Sequence, residues 1–556
     1  MPEIRNLSIR NFRGIAYLDW DPHPGMNAII GPGDSCKTTI LEALDLVIGS
    51  RRGSFTDADF HQLNTGDPIV IDVTIGDLPK EVLNLEAYIR FLRGYLWGLV
   101  FDEPRDGTEP VITVRLKVGE DCEPTWCLFS ERVDPADLPR DIRGDHRALI
   151  SAQRIGANVG QHLAWGPRSV LTRLSEKRDG LAAVLAKANR AARQDFRIED
   201  AEDLRPAVNS ARTVAKDMAV AGALDAEAAL DARAVNVSNG AIALHDGRGV
   251  PLRALGIGSS RLLAAGLQAA AAAAIPILLL DEAEHGLEPH RIARMLQHLG
   301  SKAECAAQQI FLTTHSPVVL RELSAEQLWV VRRSADDVVK LHDISGIEGA
   351  KGLLRSHPEA FLSPTVLICE GATEIGLCRG IDIYETGQGK EGMALYGVSL
   401  ADGTGTNQWK TACDFQRVGF RVGLFRDSDA AVPALEGEFL QKGGTVFAWR
   451  EDQSFEDELF ACLPLSLIPK AIQIADRLRS IETVNESLGS AGVRKEDRDR
   501  IRTKPTDADR RTLAKASGGK RGWFKRIDIA EDLARSVLNV DVMTDKCSLT
   551  DVIDAI

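Results

Sequence analysis

Aromatic side chains make up only 5% of the 556 residues, and the nine cysteines include no CxxC pair. Without thiols at ligand spacing a zinc framework is excluded, and an odd cysteine count fits reduced thiols in a cytoplasm better than a disulfide scaffold. Long apolar runs are also missing. The longest, Leu262 to Leu280, is broken by Gly266, Gln268 and Pro276; it reads as a helix followed by a strand, and no membrane span is expected. Met1-Pro2-Glu3-Ile4-Arg5 leads into a strand pattern with no signal-peptide character, so the expected location is cytoplasmic. Basic charge is short overall, with a formal net charge of −13, which argues against a protein that coats nucleic acid. The distribution is uneven, however: Arg494 to Arg526 holds thirteen Lys/Arg against five Asp/Glu, and a second basic stretch runs from Arg168 to Arg197.

What is present is an ordinary globular composition, 44% hydrophobic and 26% charged, long enough for roughly two to four domains. Residues 31–39 read GPGDSCKTT directly after the strand-like Met26-Asn27-Ala28-Ile29-Ile30, and Leu41, Leu44 and Val47 follow on one helical face. Strand, glycine-rich loop and helix form a phosphate cradle, in which backbone N–H groups and the helix N-terminus hold phosphate oxygens. Gly31, Gly33, Ser35, Cys36, Lys37, Thr38 and Thr39 are therefore candidate ATP-binding residues. Lys37 is suited to the β/γ oxygens and Thr38 to Mg²⁺. One position departs from the pattern: Cys36 stands where glycine normally precedes the lysine. A side chain there crowds the phosphates or forces a disfavoured backbone angle, which puts hydrolysis in question.

Some 240 residues on, Ile277-Leu278-Leu279-Leu280 is a buried parallel strand ending in Asp281 and Glu282. Asp281 suits the Mg²⁺ shell and Glu282 the polarisation of an attacking water. Ile310-Phe311-Leu312-Thr313-Thr314 is a further strand leading to His315, a candidate sensor of the γ-phosphate, and Gly256-Ile257-Gly258-Ser259-Ser260-Arg261 opens an Ala-rich helix.

Near residue 363 a second α/β pattern begins. Pro364 to Cys369 is an apolar strand that ends in Glu370, with Glu374 one helical turn later; Met393 to Leu400 is expected as a second strand and Arg421 to Arg426 as a third, ending in Asp427-Ser428-Asp429. A strand–helix–strand repeat makes a parallel sheet with its chemistry at the carboxyl ends. Glu370, Glu374, Asp427 and Asp429 are thus expected on one edge. Clustered carboxylates call for oxygen-seeking Mg²⁺ or Mn²⁺, and two such ions activate water and stabilise the leaving oxygen in phosphodiester cleavage. In Trp449 to Phe460 (WREDQSFEDELF), Glu456 is the preferred additional ligand, with Asp457, Glu458 and Asp452 as competitors and a helix-capping carboxylate as the structural alternative.

NFRG at 11–14, the phosphate loop, GIGSSR, LLLDEAEHGLEP and TTHSP together resemble the ABC-type ATPase heads of the RecF, SMC and OLD (overcoming lysogenization defect) groups. Glu-Gly-x-x-Glu with Asp-Ser-Asp resembles the TOPRIM domain of topoisomerases, primases and OLD nucleases. The combined order resembles class 2 OLD proteins, including the nuclease subunit of Gabija-type phage defence. The resemblance implies that Arg13 lies near the nucleotide base, that Ser259 or Ser260 acts on ATP across a homodimer or higher homo-oligomer, and that a lysine in Gly518 to Arg526 is catalytic, Lys525 preferred and Lys520 the alternative. It implies an α/β fold: an ABC ATPase N-terminal lobe at 1–165, a short helical dimerisation insertion at 166–233, a C-terminal ATPase lobe at 234–360, and a TOPRIM Rossmann-like parallel sheet with a helical basic tail at 361–556. The implied function is a nucleotide-regulated, two-metal DNA endonuclease. Its catalytic set is Glu370, Lys525 and Glu282, and its metal ligands are Glu370, Glu374, Asp427, Asp429 and Glu456, with Thr38 and Asp281 at the ATP. The implied partners are double-stranded DNA and a helicase-type subunit, and no membrane. A topoisomerase is disfavoured because none of the five tyrosines lies in the C-terminal basic region, and a primase because no zinc element is visible. The rival from another class is an ATP-dependent clamp or sensor of RecF/SMC type without nuclease activity.

Overall fold

The computed structural model describes residues 1–49, 53–83, 86–133, 142–156, 159–165, 169–174, 242–271, 275–303, 307–334, 336–347, 349–428, 433–450, 452–519 and 522–538, with 187–188, 190–191, 207–210, 213 and 216 between them. The expected helical insertion at 166–233, Asp429, Lys520, and Leu181 and Leu185 within the insertion therefore fall largely or wholly outside the described residues.

Three sheets organise the chain. In the first, β1 (Glu3–Phe12), β2 (Ile15–Trp20), β4 (Ile69–Gly76), β5 (Leu92–Leu96), β6 (Leu99–Phe101), β7 (Glu109–Val118) and β8 (Pro124–Phe129) pair antiparallel. The second has the order β13 (Val339–Asp343), β12 (Leu328–Arg333), β3 (Met26–Ile30), β11 (Gln309–Thr313), β10 (Ile277–Leu280), β9 (Ala152–Ile155), parallel except for β13. β3, β10 and β11 are buried along their whole length, as expected of strands covered on both faces of a parallel sheet. The helix Lys37–Ile48 lies between the first two sheets: Ile40, Leu41, Leu44 and Val47 share one core with Ile9, Ile71, Leu116, Ile277 and Phe311. This is the ABC-type ATPase-head arrangement within the α/β class that the motifs imply.

The third sheet is fully parallel, in the order β15 (Val398–Asp402), β14 (Thr365–Cys369), β16 (Arg421–Arg426), β17 (Thr445–Ala448). Side chains alternate along a strand, and β14 shows what that alternation achieves. Val366 and Ile368 enter a core shared with head residues such as Leu320 and Leu354, whereas Leu367 and Cys369 enter the core of the C-terminal helices. The sheet is thus held between the head and the helical tail, and the next residue is Glu370. The expected strand from Met393 is displaced: Gly392 to Gly397 forms a turn, with Met393 N–H bonded to Asp382 at 2.7 Å and Gly397 at φ 63, and extended pairing starts at Val398. Among the described residues Cys36, Cys122, Cys127, Cys369, Cys378 and Cys413 are free thiols.

Candidate functional site

The phosphate loop begins at Gly31, whose φ of 146 and whose approach to Val331 O (3.0 Å from any added Cβ) admit only glycine. Gly33 is exposed, Ser35 bonds Pro32 O at 2.8 Å, and Thr39 is half-buried on the first helical turn. Cys36 caps the helix in the left-handed region, φ 68 and ψ 16. Of the two expected consequences of losing glycine there, the disfavoured backbone angle is present. The thiol packs onto the β1–β2 turn, where a Cβ on Gly14 would meet Sγ at 2.8 Å. Burial pushes this thiol above its usual range, against the opposing pull of Arg333. Lys37 is buried and folded into the loop, its ammonium donating to Gly31 O (3.1 Å), Pro32 O (2.6 Å) and Ser35 Oγ (3.2 Å); burial lowers its pKa to about 8.

At the end of β10, Asp281 accepts hydrogen bonds from Thr38 Oγ1 (3.3 Å) and Thr313 Oγ1 (2.7 Å). Hydroxyl and carboxylate oxygens brought together from the loop and the strand end suit a hard cation such as Mg²⁺. The other carboxylate oxygen is held by Arg154 at 2.7 Å. Glu282 follows in a left-handed conformation (φ 46) with its side chain exposed and near His285. His315 lies at the end of β11; its backbone N–H and Thr314 Oγ1 both bond Glu284 at 2.7 Å. Burial, with the nearby Lys37 charge, depresses the His315 pKa and favours neutral imidazole. Of the two signature serines, Ser260 is buried and bonded to Leu255 O (3.2 Å), whereas Ser259 Oγ accepts from Arg291 (3.1 Å) and lines a cleft of about 640 Å³. Ser259 is thus the one with an accessible face. Arg13 binds Asp59 at 2.9 Å and pairs with Glu42 on the loop helix.

The acidic edge is built by β14, β16 and their following turns. Glu370 Oε2 accepts Gln408 Nε2 and Asp427 N–H, both at 3.0 Å. The turn after β15 reinforces this: Gly403 N–H bonds Cys369 O (2.7 Å) and Gly405 N–H bonds Glu370 O (3.0 Å), a backbone approach so close that a Cβ on Gly403 would lie 2.6 Å from that of Gln408. Glu374 is buried and turns back to accept Gly371 N–H at 2.9 Å. Burial first, then the charges of Asp427 and Glu370, raise its pKa to about 8. Asp427 Oδ1 accepts Phe455 N–H at 3.0 Å. Among the described residues no three His, Cys, Asp or Glu side chains are gathered tightly enough to hold an ion, and Asp429 lies outside those residues. The expected convergence is therefore a neighbourhood of Glu370, Glu374 and Asp427, not a closed cage. Like charges without a cation separate onto backbone donors or take up a proton, which is what these carboxylates do.

The helix Phe455–Cys462 gives its carboxylates different surroundings. Asp457 forms a capping box with Ser454, and Glu458 is buried against Arg450 at 2.9 Å. Glu456 is buried with Oε1 lacking any hydrogen-bond partner and 3.1 Å from where a Cβ on Gly522 would sit. Burial raises its pKa, opposed chiefly by the charge of Lys525. An orphaned, buried carboxylate oxygen beside this edge fits a divalent-ion ligand. Lys525 is exposed on the turn before the helix Ile527–Val537, and lines an open cleft of about 780 Å³ with Arg379, Arg477 and Arg526. That helix packs against Ala372–Gly387 at glycine-only distance: a Cβ on Gly376 would meet Ile527 O at 2.5 Å, and one on Gly380 would meet Glu531 O at 2.4 Å. The pairing sets Lys525 over the start of the helix that carries Glu374. Sequence reasoning missed Arg154 and Gln408, since neither sits in a recognisable motif.

A family model, AAA_21, described as "AAA domain, putative AbiEii toxin, Type IV TA system", matches residues 26–321. The OLD nuclease of Thermus scotoductus is 26% identical over 372 residues, 60% of this chain and 63% of that protein, so the chain covers less than two thirds of that relative. Among solved structures, an SMC head bound to the C-terminal winged-helix domain of ScpA is similar over 61% of this chain and 97% of its own, at 16% identity and a TM-score of 0.33. The SMC head domain of Thermotoga maritima gives 61%, 98%, 14% and 0.30. That of Pyrococcus yayanosii, with a coiled coil and joint, gives 64%, 100%, 12% and 0.36. At these scores the SMC heads add nothing to the topology described above.

Proposed function

The chain belongs to the AAA_21 family and carries an ATPase head of OLD kinship, and from that premise we propose that it is a nucleotide-regulated, divalent-metal-dependent DNA endonuclease acting in phage defence or DNA processing. The observation that carries the nuclease half is the acidic edge of the half-buried Glu370 and Asp427 and the buried Glu374 and Glu456, beside the exposed Lys525. In this reading the edge, with Asp429, is a TOPRIM site for two Mg²⁺ or Mn²⁺ ions. The ions, when bound, activate a water and stabilise the leaving oxygen. Glu370 is oriented by Gln408 and Asp427 N–H so that its second oxygen is free for an ion. Glu374 would serve such an ion as a ligand in its deprotonated form. Lys525 would face the negative charge that builds on the pentacoordinate phosphorus of the transition state. Double-stranded DNA would lie along the cleft below Lys525, where Arg526 is paired with Asp528 and Arg477 and Arg535 with Asp532, while Lys525 and Arg379 make no ion pair among the described residues.

In the head, Thr38 and Asp281 would hold magnesium with ATP, Lys37 would leave the loop carbonyls for the phosphates, Glu282 would polarise water, and Ser259 would face the nucleotide of a second copy. A homodimer or higher homo-oligomer follows, with 166–233 as its helical contact and a helicase-type subunit as a further cytoplasmic partner. No described helix is long and apolar enough to cross a membrane. The strained Cys36 favours a second reading, an ATP-binding clamp or sensor on DNA without cleavage. Supercoiled plasmid incubated with the purified protein and Mg²⁺ or Mn²⁺, with and without ATP, separates them: the proposal requires nicked or linear product that depends on the metal, and plasmid left intact under every condition leaves only the clamp.

A further inference from the structure

Three carboxylates surround one guanidinium beside the phosphate loop. Arg154, on β9, lies 2.7 Å from Asp281, 3.6 Å from Glu42 and 3.9 Å from Asp45, the last two on the loop helix. Its side chain is only 16% exposed, so water screens this cluster weakly, and the carboxylates would repel one another without it. The geometry is asymmetric. Asp281 Oδ1 receives the hydroxyls of Thr313 and Thr38, whereas Oδ2 is spent on Arg154. Glu42 is shared with Arg13, the residue that opens the β1–β2 turn against which Cys36 packs.

We propose that Arg154 is a positioning residue that serves as the resident cation of the nucleotide site, holding Asp281 until a magnesium ion arriving with the nucleotide takes its place. The inference rests on the nucleotide-binding reading of the loop. An ion between Thr38 Oγ1 and Asp281 withdraws charge from the carboxylate that Arg154 holds, which weakens the guanidinium's grip. Arg154 then has Glu42 and Asp45 within reach, so it passes to the loop helix without being left buried and unpaired. The exchange makes magnesium compete with a built-in charge. Free magnesium, without the phosphates that bring further ligands, does not displace it.

The test uses the full chain and a fluorescent ATP analogue titrated with Mg²⁺ at fixed analogue concentration. Arg154→Gln removes the competitor, and the Mg²⁺ midpoint for analogue binding should fall about tenfold, the scale of one charge-assisted hydrogen bond. The same variant should melt earlier in chelator and regain its stability when Mg²⁺ and the analogue are added together. Arg154→Lys keeps the charge but loses the fork, and should shift the midpoint in the same direction by about threefold; it carries the test if the glutamine variant fails to fold. An unchanged or raised midpoint in either variant overturns the proposal, the second because Arg154 would then be supporting the nucleotide and not reserving its seat. Failure of the wild-type chain to bind the analogue at any Mg²⁺ concentration would instead sink the nucleotide reading, and this inference with it.

Discussion

Replacing Gly380 by alanine tests whether the placement of Lys525 depends on one helix contact. Two effects oppose each other. Alanine in a helix interior is favoured over glycine by about 1 kcal/mol. Against that, the new Cβ would stand 2.4 Å from Glu531 O and 2.6 Å from Ala534 Cβ. The first of these is backbone, which cannot swing aside as a side-chain tip can, so the helix Ile527–Val537 must move by several tenths of an ångström. Overpacking of this kind costs about 1–3 kcal/mol, so clash wins and the net loss is expected at about 0–2 kcal/mol. Gly376→Ala meets Ile527 O at 2.5 Å and Ala530 Cβ at 2.6 Å and should behave alike. Because one rigid shift clears both contacts, the double variant should lose less than the two single losses added. Function should suffer more than stability. Lys525 sits two residues before the displaced helix, and a misplacement of about 1 Å at a reacting group costs on the order of a hundredfold. Denaturant midpoints and plasmid-nicking rates of the two singles and the double decide the matter. A Gly380→Ala protein about 1 kcal/mol more stable than the parent, with unchanged nicking, would refute the claim that this interface sets the lysine.

Asp427→Ala should abolish plasmid cleavage while the far-ultraviolet spectrum and nucleotide binding stay at parental values; cleavage at the parental rate removes Asp427 from the site. Cys36→Gly relieves a left-handed conformation that costs a non-glycine residue on the order of 1 kcal/mol, and steady-state ATP turnover should rise, since Lys37, Asp281, Glu282 and His315 are all in place; a brisk wild-type rate unaffected by the change goes against this. Glu374, with a pKa raised to about 8 from 4.5 mainly by burial, keeps a proton in the folded, metal-free chain that the unfolded chain has lost. Its contribution to stability is complete below about pH 4.5 and disappears as pH rises through 8, and Mg²⁺ or Mn²⁺ binding at pH 7 should release a proton. Calorimetric heats that do not vary with the ionisation enthalpy of the buffer would show that no proton leaves. Light scattering should report at least a dimer at micromolar concentration, and monomer mass with and without nucleotide would count against Ser259 acting across an interface.

The parts legible in the sequence are those where one short segment carries both the structural signal and the chemistry. Ile277 to Leu280 is apolar without interruption because it is covered on both faces, and Asp281 follows it; β14 and Glu370 repeat the arrangement. Where roles depend on contacts between distant segments, the sequence is silent. Arg154 matters only because β9 lies beside β10, which brings it to a carboxylate 127 residues away. Gln408 reaches Glu370 only because Gly403 lets the turn after β15 close on β14. In the run Glu456-Asp457-Glu458, the sequence preferred Glu456 but left its two neighbours as close competitors. A capping box consumed one and Arg450 another, and only the helix N-terminus shows which. Cys36 carried two consequences in sequence, and the left-handed angle is the one the backbone displays, with the thiol on Gly14. The strand expected from Met393 was misplaced because Asp382, eleven residues earlier, captures its N–H and starts a turn instead.

The two acidic centres of the chain handle their negative charge in opposite ways, and this decides what each demands of a cation. Around Asp281 a guanidinium supplied by the fold lies 2.7 Å from that carboxylate and 3.6 and 3.9 Å from Glu42 and Asp45, so on the proposal above an incoming ion would have to compete. Around Glu374, Lys525 acts on Glu456 from an exposed turn, Glu374 and Asp427 accept backbone N–H groups, and burial holds the Glu374 pKa up at about 8. Burying a charged carboxylate without a partner is costly, so that proton is the cheapest available counter-charge, and Glu456 Oε1 still has no hydrogen-bond partner. On the proposals above, an ion entering this second centre would displace a proton and satisfy an orphaned oxygen, while one entering the first would have to displace an arginine. On those two proposals the head would favour magnesium that arrives already bound to phosphates, and the C-terminal edge would accept the ion alone.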